Sequence, residues 1–348
     1  MELKSLCELP GVSGREEPVR IAVFEECAKI LGKENVKIDK MGNVIVQKKG
    51  QKKDKPHVML SAHMDEVGLM VVSASDDGLL RVRSLGGIDS RVLVSKRVTV
   101  GYKGNGKGDE QRALPGVIGA MAIHLQTADD RNAVLPIDQL YVDIGAKDKD
   151  EALRFCPPGT PITFDTPFSE FGEGLYMARA LDDRVGVYNM LRLLTVDCAG
   201  DTSFVFTCQE EVGCRGVKGA AFQLMPDIAL ALEGTTANDT GDVPACERVC
   251  VVGGGVAISF MDRSSIANMD LFRSILSLAN KREIPHQIKG SVSGGNESGV
   301  MQLSGTGAKT CVLSVPCRYI HSPSTVCSAA DVDAQYELVK EFLTTGVD

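Results

Sequence analysis

The spacing of hydrophobic residues changes twice along the chain, and this change constrains the fold more than any other feature. After residue 164, strand-like apolar runs such as 203–208 and 228–232 alternate with helical patterns such as 268–281. Strands that alternate with helices form a mainly parallel sheet with helices on both faces. A strand-like run at 57–62 gives the beginning of the chain the same character. We therefore predict an α/β fold for both ends of the chain.

The intervening residues 68–163 have a different pattern. Short β-branched runs alternate with clusters of Gly, Asp and Asn, and no long helical pattern occurs there. This spacing is typical of a small β-barrel or sandwich, of which we predict the barrel. Because 348 residues exceed the size of one compact core, we predict two domains. A discontinuous α/β domain, residues 1–67 and 164–348, is interrupted by a β-barrel domain, residues 68–163.

Composition excludes several classes of protein. The formal net charge of −8 argues against a nucleic-acid partner, since such a protein needs a basic surface. No apolar run is long enough to span a membrane, and residues 1–4 do not begin a signal-peptide pattern. The eleven cysteines lack a CxxC pair, which is typical of free thiols in a reducing compartment. We expect a cytoplasmic protein without nucleic-acid or membrane partners.

One glycine-rich run needs a separate interpretation. Residues 104–108, Gly-Asn-Gly-Lys-Gly, have the glycine content of a phosphate-binding loop. No helix follows this run, although a nucleotide-binding loop requires one. We interpret it as a flexible loop.

Histidine and acidic residues stand where the predicted strands end. His63, Glu210, Glu211 and Glu233 directly follow apolar runs, His321 comes a short turn after another, and Asp182 opens a helix. In α/β sheets, ligands bind beyond the carboxyl ends of the strands. Charged groups so close to a core need partners, and a metal centre supplies them.

This mixture of side chains fits a two-metal site. Zinc-like ions accept imidazole and carboxylate ligands together, and a metal pair lowers the pKa of a shared water while polarising a carbonyl. We predict the following metal ligands: His63, Asp182, Glu211, Glu233 and His321. Glu210 is then left as the general base. The remaining histidines, His57, His124 and His286, lie in no comparable setting.

At these motifs the chain resembles a known family. The segments are Ala62-His63-Met64-Asp65-Glu66-Val67-Gly68, Ala180-Leu181-Asp182-Asp183-Arg184-Val185-Gly186, Glu210-Glu211-Val212-Gly213 and Arg318-Tyr319-Ile320-His321-Ser322-Pro323. In this order they resemble the tetrahedral aminopeptidase family of two-metal metallopeptidases. Members carry the names glutamyl, deblocking or leucyl aminopeptidase, and some the name endoglucanase. The resemblance covers essentially the whole chain, including residues 113–119 of the inserted segment.

The resemblance implies a function and a role for each site residue. The chain would be a metal-dependent aminopeptidase that removes N-terminal residues from peptides, with two divalent metal ions per subunit, Zn, Co or Mn. Asp182 would bridge the metals, His63 and Glu233 would complete one site, and Glu211 and His321 the other. A metal-bridging water would be the nucleophile and Glu210 the general base. Asp65, the second catalytic residue, would accept a hydrogen bond from His63.

Two further expectations follow from the resemblance. The peptide bond between Asp182 and Asp183 should be cis. The subunits should form a homo-oligomer, dimers assembling into a dodecamer, with residues 68–163 at the contacts. Two positions depart from the family pattern: Glu233 stands where Asp is commoner, and residues 294–298 replace a frequent Gly-Thr-Asp-Ala segment.

Other functions remain open at this point. A related two-metal deacylase or carboxypeptidase needs a basic residue for a substrate carboxylate, and the sequence does not locate one. A glycosidase needs two carboxylates that flank the bond at about 5–9 Å, and it leaves His63 and His321 without a role. A non-catalytic scaffold would have lost its metal, whereas all the proposed ligands are present in this chain.

Overall fold

The computed structural model of the protein describes residues 1–102, 113–241 and 243–346. The glycine-rich run at 104–108 lies outside the described residues.

The described residues form strands and helices in all three predicted segments. The strands are β1 (Val36–Ile38), β2 (Val44–Lys48), β3 (Val58–His63), β4 (Gly68–Ala74), β5 (Leu80–Leu85), β6 (Arg97–Val100), β7 (Leu114–Gly119), β8 (Tyr141–Asp143), β9 (Pro161–Phe164), β10 (Ser169–Phe171), β11 (Leu175–Ala178), β12 (Thr202–Thr207), β13 (Ile228–Thr236), β14 (Val256–Ser259), β15 (His286–Ile288), β16 (Lys309–Arg318) and β17 (Thr325–Ser328). The α-helices are α1 (Leu3–Glu8), α2 (Glu17–Leu31), α3 (Ala128–Asn132), α4 (Lys149–Phe155), α5 (Leu181–Leu193), α6 (Arg215–Leu224), α7 (Met269–Lys281), α8 (Ser298–Met301) and α9 (Ala329–Thr345). None of these helices has both the length and the apolar character needed to cross a membrane.

One large sheet holds the two ends of the chain together. Its main path runs β1-β2-β12-β3-β13-β16-β17-β11-β10, and β14 joins β16 to β15. The four central strands β12, β3, β13 and β16 are parallel to one another, whereas the flanking strands β2 and β17 pair with them in the antiparallel direction. The predicted mainly parallel α/β sheet is therefore confirmed.

Helices cover both faces of this sheet because side chains alternate along each strand. On β3, Leu60 packs in the cluster that contains residues of α2, α5, α7 and α9. The preceding residue, Met59, packs instead against Val217 of α6 and Met301 of α8. Two buried layers therefore hold the central strands, which read in sequence as continuous apolar runs.

The inserted segment closes into a six-stranded barrel in the order β4-β5-β8-β7-β6-β9. Its core is separate from that of the α/β part and includes the buried side chains of Leu69, Val98 and Ile162. The α-helices in the described part of this segment, α3 and α4, have five and seven residues, so no long helix interrupts the strands there. The barrel predicted from the short β-branched runs is confirmed.

One strand is shorter than its apolar pattern suggests. Residues 249–259 read as two strand-like pieces, whereas the strand is confined to β14. Gly253 and Gly255 have φ angles of 87°, a conformation that glycine adopts readily. Their backbone N–H groups donate to the two carboxylate oxygens of Asp331, each at 2.7 Å. These two hydrogen bonds stabilise a turn at Gly253 and Gly255. The backbone there bonds to a side chain instead of pairing with a neighbouring strand.

Candidate metal centre

The parallel register brings the predicted ligands to one edge of the sheet. Thr207 at the end of β12 pairs with His63 at the end of β3. The chain after β12 therefore delivers Glu210 and Glu211 beside His63. Glu233 lies on β13, which is parallel to β3 and next to it. Sequence positions more than a hundred residues apart meet here because the strands run in the same direction.

A first group of potential ligands surrounds His63. Its Nε2 atom lies 3.5 Å from Asp182 Oδ1 and 3.7 Å from Glu233 Oε2. The ligand atoms of these residues all lie within 4.8 Å of one another. His63 and Glu233 are buried, with 1% and 5% of their surface exposed.

A second group lies directly beside the first. His321 Nε2 is 3.5 Å from Asp182 Oδ2 and 3.4 Å from Glu211 Oε2. Asp182 thus presents one oxygen to each group, as a bridging carboxylate does. The peptide bond between Asp182 and Asp183 is cis, as the family resemblance implies. All five predicted ligands are brought together in two adjacent groups that share Asp182.

The tautomers of the two imidazoles follow from their other ring nitrogens. The Nδ1 atom of His63 lies 3.0 Å from the backbone carbonyl of Asp65, and that of His321 lies 3.0 Å from the carbonyl of Gly87. A carbonyl can only accept, so each Nδ1 donates, and Nε2 is the nitrogen of each ring that would coordinate a metal. Gly87 lies between β5 and β6, so the barrel supports His321.

The contact between His63 and Asp65 differs from the expected one in the oxygen atom of Asp65 that accepts the hydrogen bond. The acceptor for His63 is its backbone carbonyl, whereas its carboxylate Oδ1 lies 3.7 Å from Nδ1. The carboxylate instead accepts from Ser13 Oγ at 2.6 Å and from the backbone N–H groups of Glu210 and Glu211. The motif spacing could not show this, because the loop after β12 is distant in sequence.

Negative charge accumulates at this edge of the sheet. Burial raises the pKa of Glu211 to about 8, although His321 opposes the rise. Burial also raises the pKa of Glu233 well above its usual range. For His321 burial lowers the pKa, but the hydrogen bond and charge of Asp182, together with Glu211, raise it to about 9. The accumulated negative charge of these carboxylates therefore favours a positively charged group, such as a metal ion, in the site.

These residues fit a pair of divalent metals. Glu233 Oε1 is buried and has no hydrogen-bond partner among the described residues, which is costly unless a cation meets it. Imidazole nitrogens and carboxylate oxygens together are the donors that zinc-like ions accept. Two such ions would also offset the repulsion among the carboxylates.

Glu210 lies in the cavity that the ligands line. Burial raises the pKa of its carboxyl group, and His63 opposes this rise while Asp65 and Asp182 add to it. Its Oε1 atom accepts from Cys214 Sγ at 3.2 Å. A carboxylate with a raised pKa beside a reaction site suits a general base.

The site cavity has a volume of about 370 Å³. Its lining residues come from the ends of the central strands and from the segment that follows β15: His63, Asp182, Glu210, Glu233, Gly234, Thr235, Thr236, Lys289, Ser293, Gly294, Gly295, Asn296, Ser314, Ile320 and His321. The segment 294–298, which departs from the family pattern, therefore contributes to the wall of this cavity.

Two further buried, charged residues of this region have little distinguishing signal in the sequence. Glu297 is fully buried, and burial raises its pKa to about 8, with Thr207 opposing the rise and the charge of Glu210 adding to it. Lys289 is 7% exposed and lines the cavity. The sequence signal for Glu297 was weak because an acid at a helix start is ordinarily a favourable surface charge.

Comparisons with known proteins identify the family to which this chain is similar. Residues 42–338 match the M42 glutamyl aminopeptidase family. A lysyl aminopeptidase of Pyrococcus furiosus is 34% identical over 98% of this chain and 95% of that enzyme. An aminopeptidase structure from the archaeon Desulfurococcus kamchatkensis superposes with a TM-score of 0.90 at 34% identity, covering 98% of this chain and 93% of that chain.

A third relative is the Pyrococcus horikoshii TET1 peptidase, reported to assemble into a tetrahedron or a large octahedral shell. Its structure has a TM-score of 0.83 and 34% identity, with 98% of each chain covered. The family match and the relatives extend over both the α/β part and the barrel. The chain therefore belongs to the M42 glutamyl aminopeptidase family and is an aminopeptidase, a hydrolase of peptide bonds.

Proposed function

We propose that this aminopeptidase uses two divalent metal ions per subunit to remove N-terminal residues from peptides. The observation that carries the proposal is the pair of ligand groups that share Asp182, with Glu210 in the same cavity. His63 and Glu233 would hold one ion with Asp182, and Glu211 and His321 would hold the other. Zn, Co and Mn all suit these nitrogen and oxygen donors.

The metals and the protein have separate tasks in this proposal. When bound, two divalent ions lower the pKa of a water molecule and polarise the substrate carbonyl. Glu210 accepts a proton from the attacking water and returns it to the leaving nitrogen. Cys214 restrains the Glu210 carboxylate through its contact with Oε1. The carboxylate of Asp65 accepts hydrogen bonds from the backbone N–H groups of Glu210 and Glu211 and so positions both residues.

We also propose that the two domains have different roles, one in catalysis and the other in subunit association. Residues 1–67 and 164–348 form the catalytic domain, and residues 68–163 form the domain through which subunits associate into dimers and a dodecamer. The barrel segment supports this proposal because it exposes a series of apolar side chains: Met121, Ile123, Leu125 and Val134, each more than half exposed. Such patches mark protein contacts. Light scattering of the wild type and of Leu125→Glu tests it, with a smaller assembly expected for the variant.

A release assay tests the function. Metal-free protein receives Zn, Co or Mn and is given free peptides and the same peptides with an acetylated N-terminus. We expect sequential release of N-terminal residues from the free peptides alone, and loss of release with a chelator. Hydrolysis of acetylated substrates or of C-terminal bonds would replace the proposal with a deacylase or a carboxypeptidase. Bound metal without any hydrolysis would indicate a scaffold.

A further inference from the structure

Two cysteines face each other on the neighbouring strands β16 and β17. The described strands contain three cysteines: Cys311, Cys317 and Cys327. Cys311 pairs with Leu230, whereas Cys317 of β16 is directly opposite Cys327 of the antiparallel strand β17. Side chains at directly opposite positions of an antiparallel pair lie on the same face of the sheet. Both thiols therefore point into the same layer of the core, where the two residues pack in one cluster.

The separation of the two backbones is suitable for a disulfide bond. Directly opposite residues in an antiparallel ladder have Cα atoms about 4.5–5.5 Å apart, and a disulfide requires about 4.4–6.8 Å. Both strands are also held on their other sides, because β16 pairs with β13 and β17 pairs with β11. A bond between the two sulfur atoms therefore requires little movement of the sheet.

The two thiols are free, and both residues are completely buried. A hydrogen bond with Cys327, together with burial, raises the pKa of Cys317 well above its usual range. The pair therefore stays in the less reactive thiol form at neutral pH. A metal ion does not explain the pair, because neither cysteine belongs to a group of three or more potential ligands among the described residues.

The nine residues between the two cysteines, 318–326, carry His321, and we call them the His321 loop. The ladder at the base of this loop consists of two residue pairs, those formed by Cys317 and by Arg318. The side chain of His321 is 40% exposed. Segments with few buried contacts open locally at a low free-energy cost. A covalent bond at the base of the His321 loop would restrict such opening.

We infer that Cys317 and Cys327 form a reversible disulfide bond when a peroxide is present, and that this bond restrains the His321 loop. The peroxide first oxidises one sulfur to a sulfenic acid and releases one water. The second thiol then attacks this sulfur, the S–S bond forms, and a second water leaves. Two thiols and one hydrogen peroxide thus give one disulfide and two waters, with two electrons passing from the sulfurs to the peroxide oxygens. The inference goes beyond the proposed function and does not depend on it.

The test uses metal-free protein and no substrate. One sample is treated with hydrogen peroxide at mildly alkaline pH, where more of the thiols are ionised, and the other with dithiothreitol. The remaining thiols are alkylated, the protein is digested, and linked peptides are identified by mass spectrometry. We expect a peptide pair that joins Cys317 to Cys327 in the oxidised sample, and its disappearance when dithiothreitol is added afterwards.

Hydrogen exchange of the His321 loop measures the restraint. We expect the amides of this loop to exchange at least about threefold more slowly in the oxidised protein, and the original rate to return after reduction. Cys317→Ala and Cys327→Ala should each abolish both the linked peptide and the slower exchange. The matched control, Cys246→Ala, removes an exposed cysteine and keeps both. Reversal by dithiothreitol needs no substitution, so the wild type alone decides the result if a variant fails to fold.

Three results would overturn the inference. The first is oxidation of the exposed Cys246 while Cys317 and Cys327 are recovered as thiols. The second is a bond from either of them to Cys7, which packs in the same buried cluster. The third is a bond between Cys317 and Cys327 that leaves exchange in the His321 loop unchanged. An absence of peptide hydrolysis in the release assay would overturn the proposed function and leave the disulfide intact.

Discussion

The carboxylate of Asp65 accepts hydrogen bonds from the backbone N–H groups of Glu210 and Glu211, at 2.9 and 3.2 Å. This relationship joins the chain after β3 to the chain after β12. The first segment follows His63, a proposed ligand at the end of β3, and the second carries the proposed base and another proposed ligand. Because Asp65 is completely buried and also accepts from Ser13 Oγ, the two segments are held in a single arrangement.

Replacing Asp65 with Asn should therefore impair turnover through its neighbours. The amide keeps one accepting oxygen and places an NH2 group against a backbone N–H, which leaves a buried donor unpaired. We expect kcat to fall by about 10–100-fold with little change in KM, measured by steady-state kinetics at saturating metal. Ser13→Ala is the control, since it removes one neutral donor, and its effect should be several times smaller. An Asp65→Asn enzyme with wild-type kcat would show that the backbone contacts do not position the base.

Replacing Glu210 with Gln should remove the proton-transfer group while leaving the proposed ligands in place. Gln is similar in size to Glu but cannot accept a proton at neutral pH. We expect kcat to fall by about 10²–10⁴-fold, the usual contribution of a general base. Metal content, measured by elemental analysis after dialysis, should equal that of the wild type. Near-normal turnover would assign the proton transfer to another group.

Replacing His321 with Ala should change the metal stoichiometry by one. His321 contacts Asp182 and Glu211 but belongs to the second ligand group only. We expect calorimetric titration of metal-free protein to give two sites per subunit for the wild type and one strong site for the variant. His286→Ala is the control, because His286 lies on β15 and its ring bonds the carbonyl of Ile284. Two unchanged sites in His321→Ala would contradict the proposed ligand set.

The residues predicted as ligands lie close together because a parallel sheet brings positions that are distant along the chain to the same edge. His63 ends β3 and Glu233 lies on β13, so an apolar run followed by a ligand-type residue already specifies the edge of the sheet. The barrel is predictable for a similar reason, since short β-branched runs without helical spacing leave few other folds.

The rest of the site depends on contacts that leave no side-chain signal. The acceptor for His321 is the backbone carbonyl of Gly87, and any residue has such a group. Lys289 follows a short strand in a polar segment, where a lysine ordinarily faces solvent. In the structure it is buried and lines the site cavity together with Gly234 of β13 and Ser314 of β16. The sequence thus shows which side chains could act as ligands or bases. It does not show the burial and the backbone contacts that determine their pKa and orientation.

The buried ion cluster beneath the site should contribute strongly to stability. Glu66 is 1% exposed and contacts Arg179 and Arg184, which are 6% and 0% exposed. Glu66→Gln leaves two buried guanidinium groups without their counter-charge. We expect the free energy of unfolding to fall by about 3 kcal/mol, measured by urea denaturation in the presence of a chelator.

The surface pair of Arg97 and Asp165, 2.9 Å apart, supplies the matched control. Both side chains are exposed to solvent, so Asp165→Asn should cost less than about 1 kcal/mol. Equal effects of Glu66→Gln and Asp165→Asn would show that burial does not strengthen the cluster.

Asp331 should make stability fall as the pH rises through the weakly acidic range. Burial raises the pKa of Asp331 from 3.8 to about 6, although Gly253 and Gly255 donate to it and oppose the rise. Between these two values the native state holds a proton that the unfolded chain has released. Raising the pH removes that proton at the expense of the folded state, so the contribution of Asp331 is fully present below about pH 4 and is lost by about pH 6.

Urea denaturation of the wild type and of Asp331→Asn at pH 4, 5, 6 and 7 isolates this effect, since all other titrating groups are common to both proteins. The stability of the wild type relative to the variant should decrease with pH by on the order of 1–2 kcal/mol, allowing for partial screening of the carboxyl group. The decrease should occur below about pH 6 and level off above it. A difference that grows with pH would mean that the bonds from Gly253 and Gly255 outweigh burial and hold Asp331 ionised in the native state.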